Sequence, residues 1–195
     1  MDTLSQPRSD GRVARRENTR EVILDAASEL FAARGVTSTS IDDIAALAGI
    51  AKGSVYYNFE SKAGLVEAIV ARNSELMANA LREAIEGRTG LDLRDEVVRA
   101  LLRLVRDHAA GARVMVTELF RTERSWRVSI ERWRNLALSP LIDDLIRNGD
   151  EPAVADIKAA AIVGATLVTG LEWLLFHPER TYEQVSATVV ATLYR

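Results

Sequence analysis

The sequence predicts an all-α protein of about nine helices, in which an N-terminal three-helix domain precedes a larger C-terminal helical domain. Apolar residues recur at helical spacing in nearly every segment beyond Ser61, and no segment shows the strict alternation of a strand. The 195 residues are 48% hydrophobic and 27% charged, which is typical of a soluble globular protein. We therefore divide the chain into an N-terminal arm (1–17), a three-helix domain (18–62) and a helical domain (63–195).

The arm carries a local excess of positive charge, although the whole chain has a net charge of −3. Arg8, Arg12, Arg15 and Arg16 stand against three acidic residues in the first 17 positions. We expect the arm to be disordered. Its arginines could follow a phosphate backbone or enter a minor groove, or they could only keep the tail soluble.

The first helix is predicted from about residue 20 to Gly35. Its apolar positions follow helical spacing, and a glycine commonly ends a helix because it tolerates the left-handed conformation. These positions are Ile23, Ala26, Ala27, Leu30 and Phe31.

Residues 40–59 show the pattern of a DNA-reading helix-turn-helix, which is two short helices joined by a tight turn. Ser40 followed by Asp43 makes a Ser-x-x-Asp start, so the first of these helices should begin at Ile41 and leave Thr39 and Ser40 free to face a phosphate. Ala45 is small enough for the second helix to approach, and Gly49 can take the positive φ of the turn.

The second helix of the motif should begin near Lys52 and present a short polar and aromatic surface. Gly53 removes a side chain there, while Ser54, Tyr56 and Tyr57 supply hydroxyls and rings. Such a surface suits a DNA groove better than a core, although Tyr56 could instead pack among the three helices.

At these residues the chain resembles the tetracycline-repressor (TetR) family of transcriptional regulators. The resemblance covers about residues 20–70 and continues through KGSVYYNFESKAGLVEAIV, which is similar to the family's recognition helix and the start of its fourth helix. Two positions depart from the family's pattern, since Asp42 stands where a basic residue is frequent and Ala51 where a hydroxyl is frequent. The resemblance implies DNA contacts at Thr39, Ser40, Lys52, Gly53, Ser54, Tyr56, Tyr57 and Lys62.

The remaining helices are predicted from spacing alone. A fourth helix of some 25 residues, about 37 Å long at 1.5 Å per residue, follows Ser61. The loop GRTGLD then precedes a fifth helix, and Pro140 should kink or break the seventh. The last five predicted helices cover 94–109, 112–123, 127–148, 153–176 and 181–194.

Residues 159–176 are apolar almost all round and rich in alanine and glycine. Their length approaches that of a membrane span, but Glu172 and the small residues favour burial between protein helices. We expect one side of this helix to face the same helix of a second subunit in a two-fold dimer, as the resemblance also implies; a monomer with a buried central helix is the alternative. The expected interface residues are Ile162, Gly164, Ala165, Thr169, Gly170, Val185 and Val189.

The resemblance implies a small-molecule pocket among the helices after the fourth, for which the sequence offers few signals of its own. His108 falls in register with the apolar face of the fifth helix, so its ring should point inward, either toward a ligand or as a hydrogen-bonded core histidine. Large apolar side chains nearby could line the pocket or fill the core. The candidate pocket residues are Leu101, Val105, His108, Met115, Leu119, Trp133 and Trp173.

Catalysis has little support in the sequence. No cysteine is present, and neither a glycine-rich phosphate loop nor a set of residues at metal-ligand spacing is found, so we expect no enzyme, cofactor or metal site. The chain opens with no secretory signal, which favours a cytoplasmic protein without a membrane partner.

The leading hypothesis is a homodimeric, ligand-responsive transcriptional repressor that binds a near-palindromic operator and is released by a small-molecule effector. The alternative is a helical ligand-binding or protein-interaction module that has lost specific DNA binding. Asp42 and the lack of net positive charge favour that alternative.

Overall fold

The computed structural model describes the backbone of residues 10–119 and 127–194, with the side chains of these ranges other than 10–16, 118–119, 127–130, 132–134, 136–137 and 194. The described residues form nine α-helices and no strand, which confirms the all-α prediction. The helices are α1 (Asp10–Arg34), α2 (Ile41–Ala48), α3 (Lys52–Asn58), α4 (Lys62–Ile85), α5 (Gly90–Asp107), α6 (Ala109–Leu119), α7 (Arg127–Arg147), α8 (Pro152–Phe176) and α9 (Tyr182–Tyr194).

The chain divides into two compact units, Met1–Ile69 and Val70–Arg195. The boundary lies inside α4, seven residues beyond the one that the sequence predicts. Helix α1 already begins at Asp10, so the prediction of a disordered arm is wrong for positions 10–17, while residues 1–9 lie outside the described part.

Two other predicted boundaries also change. Helix α5 begins at Gly90, inside the predicted loop, because its first turn is capped from another helix, as shown below. Helix α7 continues through Pro140 to Arg147, so the proline does not break it.

The first unit has its own small core. The helical periodicity of α1 buries Ile23, Ala27 and Phe31 against α2 and α3, and Val55 of α3 is fully buried. Arg20 stabilises the end of α3, since its guanidinium donates to the Asn58 carbonyl at 3.2 Å and lies 4.3 Å from the centre of the Phe59 ring.

The second unit is built around α5 and α8, which cross closely. At Gly170 a Cβ would lie 3.1 Å from Val105 and 3.2 Å from Leu102, so only glycine fits this crossing without displacing its neighbours. Helices α7 and α9 complete the core with Leu141 and Val189, both buried.

A buried carboxylate ties α7 to the start of α5. Asp144 is 1% exposed; its Oδ1 accepts from the Gly90 amide at 2.9 Å and its Oδ2 accepts from Arg94 Nε at 3.2 Å. The N-cap residue Thr89 makes no side-chain cap of its own. Asp144 therefore supplies the cap for α5 from a distant part of the chain.

Helix α8 is long and apolar enough, by length and composition, to cross a membrane, and 33% of its most apolar window is buried. It packs against α5, α6, α7 and α9, which is how the central helix of a soluble bundle behaves. Packing between protein helices therefore accounts for the apolar residues on the inward side of α8.

Candidate DNA-binding surface and ligand cavity

The local chemistry of α2 fixes the geometry of the helix-turn-helix. Ser40 is the N-cap; its Oγ accepts from the Asp43 amide at 3.1 Å, while Asp43 Oδ2 accepts from the Ser40 amide at 3.0 Å. The Ser40 hydroxyl also donates to Asp43 Oδ2 at 2.7 Å, and this hydrogen bond, followed by the one from the Ser40 amide, lowers the pKa of Asp43 below its usual value. Gly49 ends α2 with φ 66°, and the predicted start of the helix at Ile41 is confirmed.

Helix α3 exposes two tyrosine rings, while its Val55 is buried. Tyr56 is 50% exposed and Tyr57 is 73% exposed, so neither ring packs in the core of the first unit. The predicted start of the helix at Lys52 is confirmed. Lys52, Gly53, Tyr56 and Tyr57 therefore lie exposed on one short helix, as a reading surface requires.

Gly53 is a glycine that the fold itself does not require. Its φ is not positive, it is exposed, and a Cβ built there would have no described atom within 4 Å. A glycine inside a helix makes the helix less stable than alanine would, by roughly 0.5–1 kcal/mol. Gly53 therefore destabilises α3, although the fold does not require a glycine there. A close approach by another molecule would explain it.

Lys52 is not free, because it pairs with Asp42 across the turn. Its Nζ lies 2.9 Å from Asp42 Oδ1 and 3.0 Å from Oδ2, and the hydrogen bond with that carboxylate raises the pKa of Lys52 above its ordinary value. Both side chains are largely exposed, at 52% and 66%. A spacing of ten residues gives no local signal, and sequence reasoning missed this pair.

Three predicted DNA contacts are used inside the first unit. Thr39 is 1% exposed and its hydroxyl donates to the Gly35 carbonyl at 2.9 Å, so the expectation of a hydroxyl free to face phosphate is wrong for Thr39. Ser40 is likewise occupied by its capping partner. Lys62 Nζ donates to the carbonyls of Val36, Thr37 and Thr39 at 2.8, 3.2 and 2.9 Å. Ser54 is half-buried.

The second unit contains an apolar cavity between α4, α5, α6 and α8. Its volume is about 30 Å³, room for one or two water molecules, within a cleft whose total empty space, counting the part open to solvent, is about 450 Å³. Two methionines, Met77 and Met115, give it adaptable walls, and Asn73 is the buried polar side chain among the lining residues. The lining residues are Asn73, Met77, Leu104, Val105, His108, Ala112, Met115, Val116, Leu167 and Leu171.

Of the predicted pocket residues, Val105, His108 and Met115 line this cavity. His108 is the C-cap of α5 and is exposed, so it is not a buried core histidine; it lines the rim of the cavity, because the helix ends before the apolar register can bury the ring. Leu101 and Trp173 both lie in the core, where Trp173 Nε1 donates to the Arg180 carbonyl at 2.9 Å. The side chains of Leu119 and Trp133 are outside the described residues.

Sequence reasoning missed Asn73, although a signal for it exists. Asn73 stands four residues from Ile69 and four from Met77, both of which are buried on the same face of α4. A polar residue in an apolar register is a candidate ligand contact. Helix α6 approaches α4 closely beside Asn73, because a Cβ at Gly111 would overlap the Asn73 amide.

The outward face of α8 carries both small and large apolar residues. Gly164 and Ala165 are exposed, and a Cβ at Gly164 would meet open space. Ile157 and Val168 on this face are 69% and 57% exposed, and Phe176 at its end is 70% exposed. Such an apolar stripe, interrupted by the exposed Glu172, is typical of an interaction surface.

The predicted dimer residues divide between this stripe and the interior. Gly164 and Ala165 belong to the stripe and Thr169 is half-buried. Gly170 instead packs against α5, and Ile162, Val185 and Val189 are buried within the subunit, so their assignment to the interface is wrong in this structure. The cause is that the helix is apolar all round, which hides from the sequence which side faces inward.

Comparisons with known proteins agree in both sequence and fold. The family profile described as "Bacterial regulatory proteins, tetR family" matches residues 23–69. The HTH-type transcriptional regulator TtgR of Pseudomonas putida is 28% identical over 172 residues, covering 82% of this chain and 81% of that protein.

Two solved structures share the fold over nearly the whole chain. A bacterial regulatory protein in the tetR family from Rhodococcus RHA1 has a TM-score of 0.78 and 24% identity, covering 90% of this chain and 94% of that one. AibR, solved in complex with isovaleryl coenzyme A and operator DNA, has a TM-score of 0.78 and 21% identity, covering 90% of this chain and 98% of that one.

Proposed function

We propose that this chain is a homodimeric repressor of the TetR family of transcriptional regulators, which binds a near-palindromic operator and releases it when a small-molecule effector binds. The observation that carries this proposal is the exposed surface of α3, in which Gly53, Tyr56 and Tyr57 surround a single buried valine. Such a helix enters the major groove, where side chains reach base edges while lysines and amides bind phosphates.

The outward face of α8 supports the dimer. Its apolar stripe includes Gly164, which allows close contact with a second helix, and two-fold symmetry would place the same stripe on both subunits. Two recognition helices are then available for two half-sites. Their centres should lie about one DNA turn apart, roughly 34 Å or a multiple of it.

The cavity of the second unit supports the effector site. Its walls favour an apolar molecule or an apolar moiety, and Asn73 in the wall and His108 at the rim are the polar side chains that line it. AibR was solved with an acyl coenzyme A, which makes short acyl thioesters a reasonable first class to test. An effector acts only through a difference in affinity between two conformations; a coupling of about 1–3 kcal/mol changes operator affinity roughly 5-fold to 150-fold.

We place the protein in the cytoplasm, where its DNA is found, and assign it no enzymatic activity. Within the described residues, no group of three or more His, Asp or Glu side chains could hold a metal ion. The proposed partners are double-stranded operator DNA, a small-molecule effector and a second copy of the chain.

The proposal is tested by binding the full-length protein to DNA from upstream of its own gene. Fluorescence anisotropy at several salt concentrations should show a preference for one sequence over a scrambled duplex, and log affinity should fall linearly with log salt. Tyr56→Ala should weaken operator binding by about tenfold, on the scale of one lost specific contact of roughly 1–3 kcal/mol. Equal affinity for operator and scrambled DNA in a folded dimer would contradict the proposal.

One observation favours the alternative of a helical ligand-binding module without specific DNA binding. The Asp42–Lys52 pair neutralises a cation on the reading surface, and Lys62 is engaged with three carbonyls. That module would bind ligand in the cavity but show no sequence preference in the same titration.

A further inference from the structure

We propose that Asp42 is an internal competitor of DNA for Lys52, and that it thereby limits the phosphate affinity of the reading surface. The Asp42 carboxylate holds the ammonium group that a DNA phosphate would otherwise bind. The inference rests on the proposed function, namely DNA binding through α3.

The geometry makes the two anions alternatives at one cation. Asp42 lies in the first turn of α2 and Lys52 is the first residue of α3, and both carboxylate oxygens lie within 3.0 Å of the ammonium nitrogen. The pair is exposed, at 66% for Asp42 and 52% for Lys52, so a third group can reach it from solvent. A phosphate therefore approaches an ammonium that already has a partner.

The cap of α2 does not explain the carboxylate at position 42. Asp43 provides the capping interaction with Ser40 in both directions. The hydrogen bond and the ion pair described for Asp42 both go to Lys52. Of the two acidic residues in this turn, one therefore serves the helix and the other serves the lysine.

The pair weakens phosphate binding in two ways. An ammonium group has three N–H donors, and the carboxylate engages some of those that a phosphate would use. The carboxylate also neutralises the charge of the ammonium, so the pair contributes almost no net charge to counterion release. Because exposed ion pairs are weak, DNA can still displace Asp42, and the effect is attenuation rather than a block.

The pair therefore changes how much phosphate contacts and base contacts each contribute to the affinity for DNA. Phosphate contacts bind every DNA sequence, whereas base contacts discriminate. A reading surface with a reduced phosphate contribution binds operator and non-specific DNA less, while the contacts of Tyr56 and Tyr57 are unaffected, so base contacts supply a larger share of the operator affinity.

The experiment is a double-mutant cycle on the full-length protein with Asp42→Asn, Lys52→Ala and the double variant. Binding to the operator and to a scrambled duplex is measured by anisotropy over a salt series, and circular dichroism confirms that each variant is folded. Glu86→Gln is the matched control, because it changes the net charge by the same unit at an exposed position outside the first unit.

We expect Asp42→Asn to tighten binding to both duplexes by about 3-fold to 10-fold at low salt and to steepen the log–log salt slope by about one unit. In the Lys52→Ala background the same substitution should change affinity by less than about twofold, since its effect acts through the lysine. Glu86→Gln should leave both quantities near those of the unchanged protein.

The outcomes separate this inference from the proposed function. If the unchanged protein prefers the operator but Asp42→Asn binds no tighter, or tightens equally with Lys52 removed, the inference is wrong and the function stands. If Asp42→Asn tightens binding through Lys52 but no variant prefers the operator, the inference stands and specific recognition fails. Absence of DNA binding by every variant would overturn both.

Discussion

At the scale of single residues, Gly53 lowers the stability of α3 but favours the proposed DNA contact. The fold leaves room for a side chain there, yet the residue keeps the flexible backbone of glycine in the first turn of α3. We interpret the missing side chain as clearance for the DNA backbone.

Gly53→Ala should therefore move two quantities in opposite directions. The free energy of unfolding of the first unit should rise by about 0.5 kcal/mol, because alanine is the better helix former. Operator affinity should fall by about tenfold or more if the added methyl group meets the DNA. Urea denaturation and anisotropy measure the two effects, and an alanine variant that binds as tightly as the parent would remove the clearance interpretation.

Asp144 is a buried polar residue with a large expected effect on stability in the second unit. Asp144→Ala removes the cap of α5 and leaves Arg94 without this partner, and we expect a loss of about 2–3 kcal/mol. Asp143→Ala is the control, since its neighbouring carboxylate is exposed and should matter by less than about 0.5 kcal/mol. Equal urea midpoints for the two variants would show that Asp144 does not hold α5.

At the scale of elements, the outward face of α8 makes a prediction about assembly. Gly164→Arg places a charge on the apolar stripe where the subunit itself has open space, so the subunit should still fold. Light scattering should then show monomers at micromolar concentration. Glu75→Arg, at an exposed position on α4, should remain dimeric. A dimer that survives Gly164→Arg would place the interface elsewhere.

The sequence was most informative where local chemistry determines structure. The start of α2 at Ile41 follows from the capping pattern, and the turn at Gly49 follows from its backbone freedom, so both could be predicted without tertiary contacts. Thr39 and Lys62 could not be placed in this way. Their partners are backbone carbonyls, which every residue carries and which leave no trace in the sequence.

Helices that are apolar on all sides limited the predictions for the second unit. Spacing identified α8 but could not tell that Gly170 faces α5 while Gly164 faces outward. The end of α5 posed a similar problem, because the apolar register continues to His108 while the helix ends at Asp107. Tertiary contacts decide both cases.

At the scale of the whole molecule, the proposed function requires that cavity occupancy and DNA binding can be separated by mutation. Ala112→Phe places a ring in the cavity, so it should abolish release of operator DNA by an effector and leave DNA binding without effector within about threefold. Anisotropy against a panel of acyl thioesters and apolar compounds measures this. Thr117→Phe, at an exposed position of α6, should keep the response. Retained release in Ala112→Phe would locate the effector site elsewhere.

The three hydrogen bonds of Lys62 determine what an effector could move. They tie the first residue of α4 to the segment between α1 and α2, so the start of α4 belongs structurally to the first unit. If the proposed dimer and effector response hold, we expect a change in the spacing of the two α3 helices to be absorbed farther along α4. Amide hydrogen exchange should accordingly rise or fall upon effector addition beyond Val70, while the amides of α2 and α3 keep their protection.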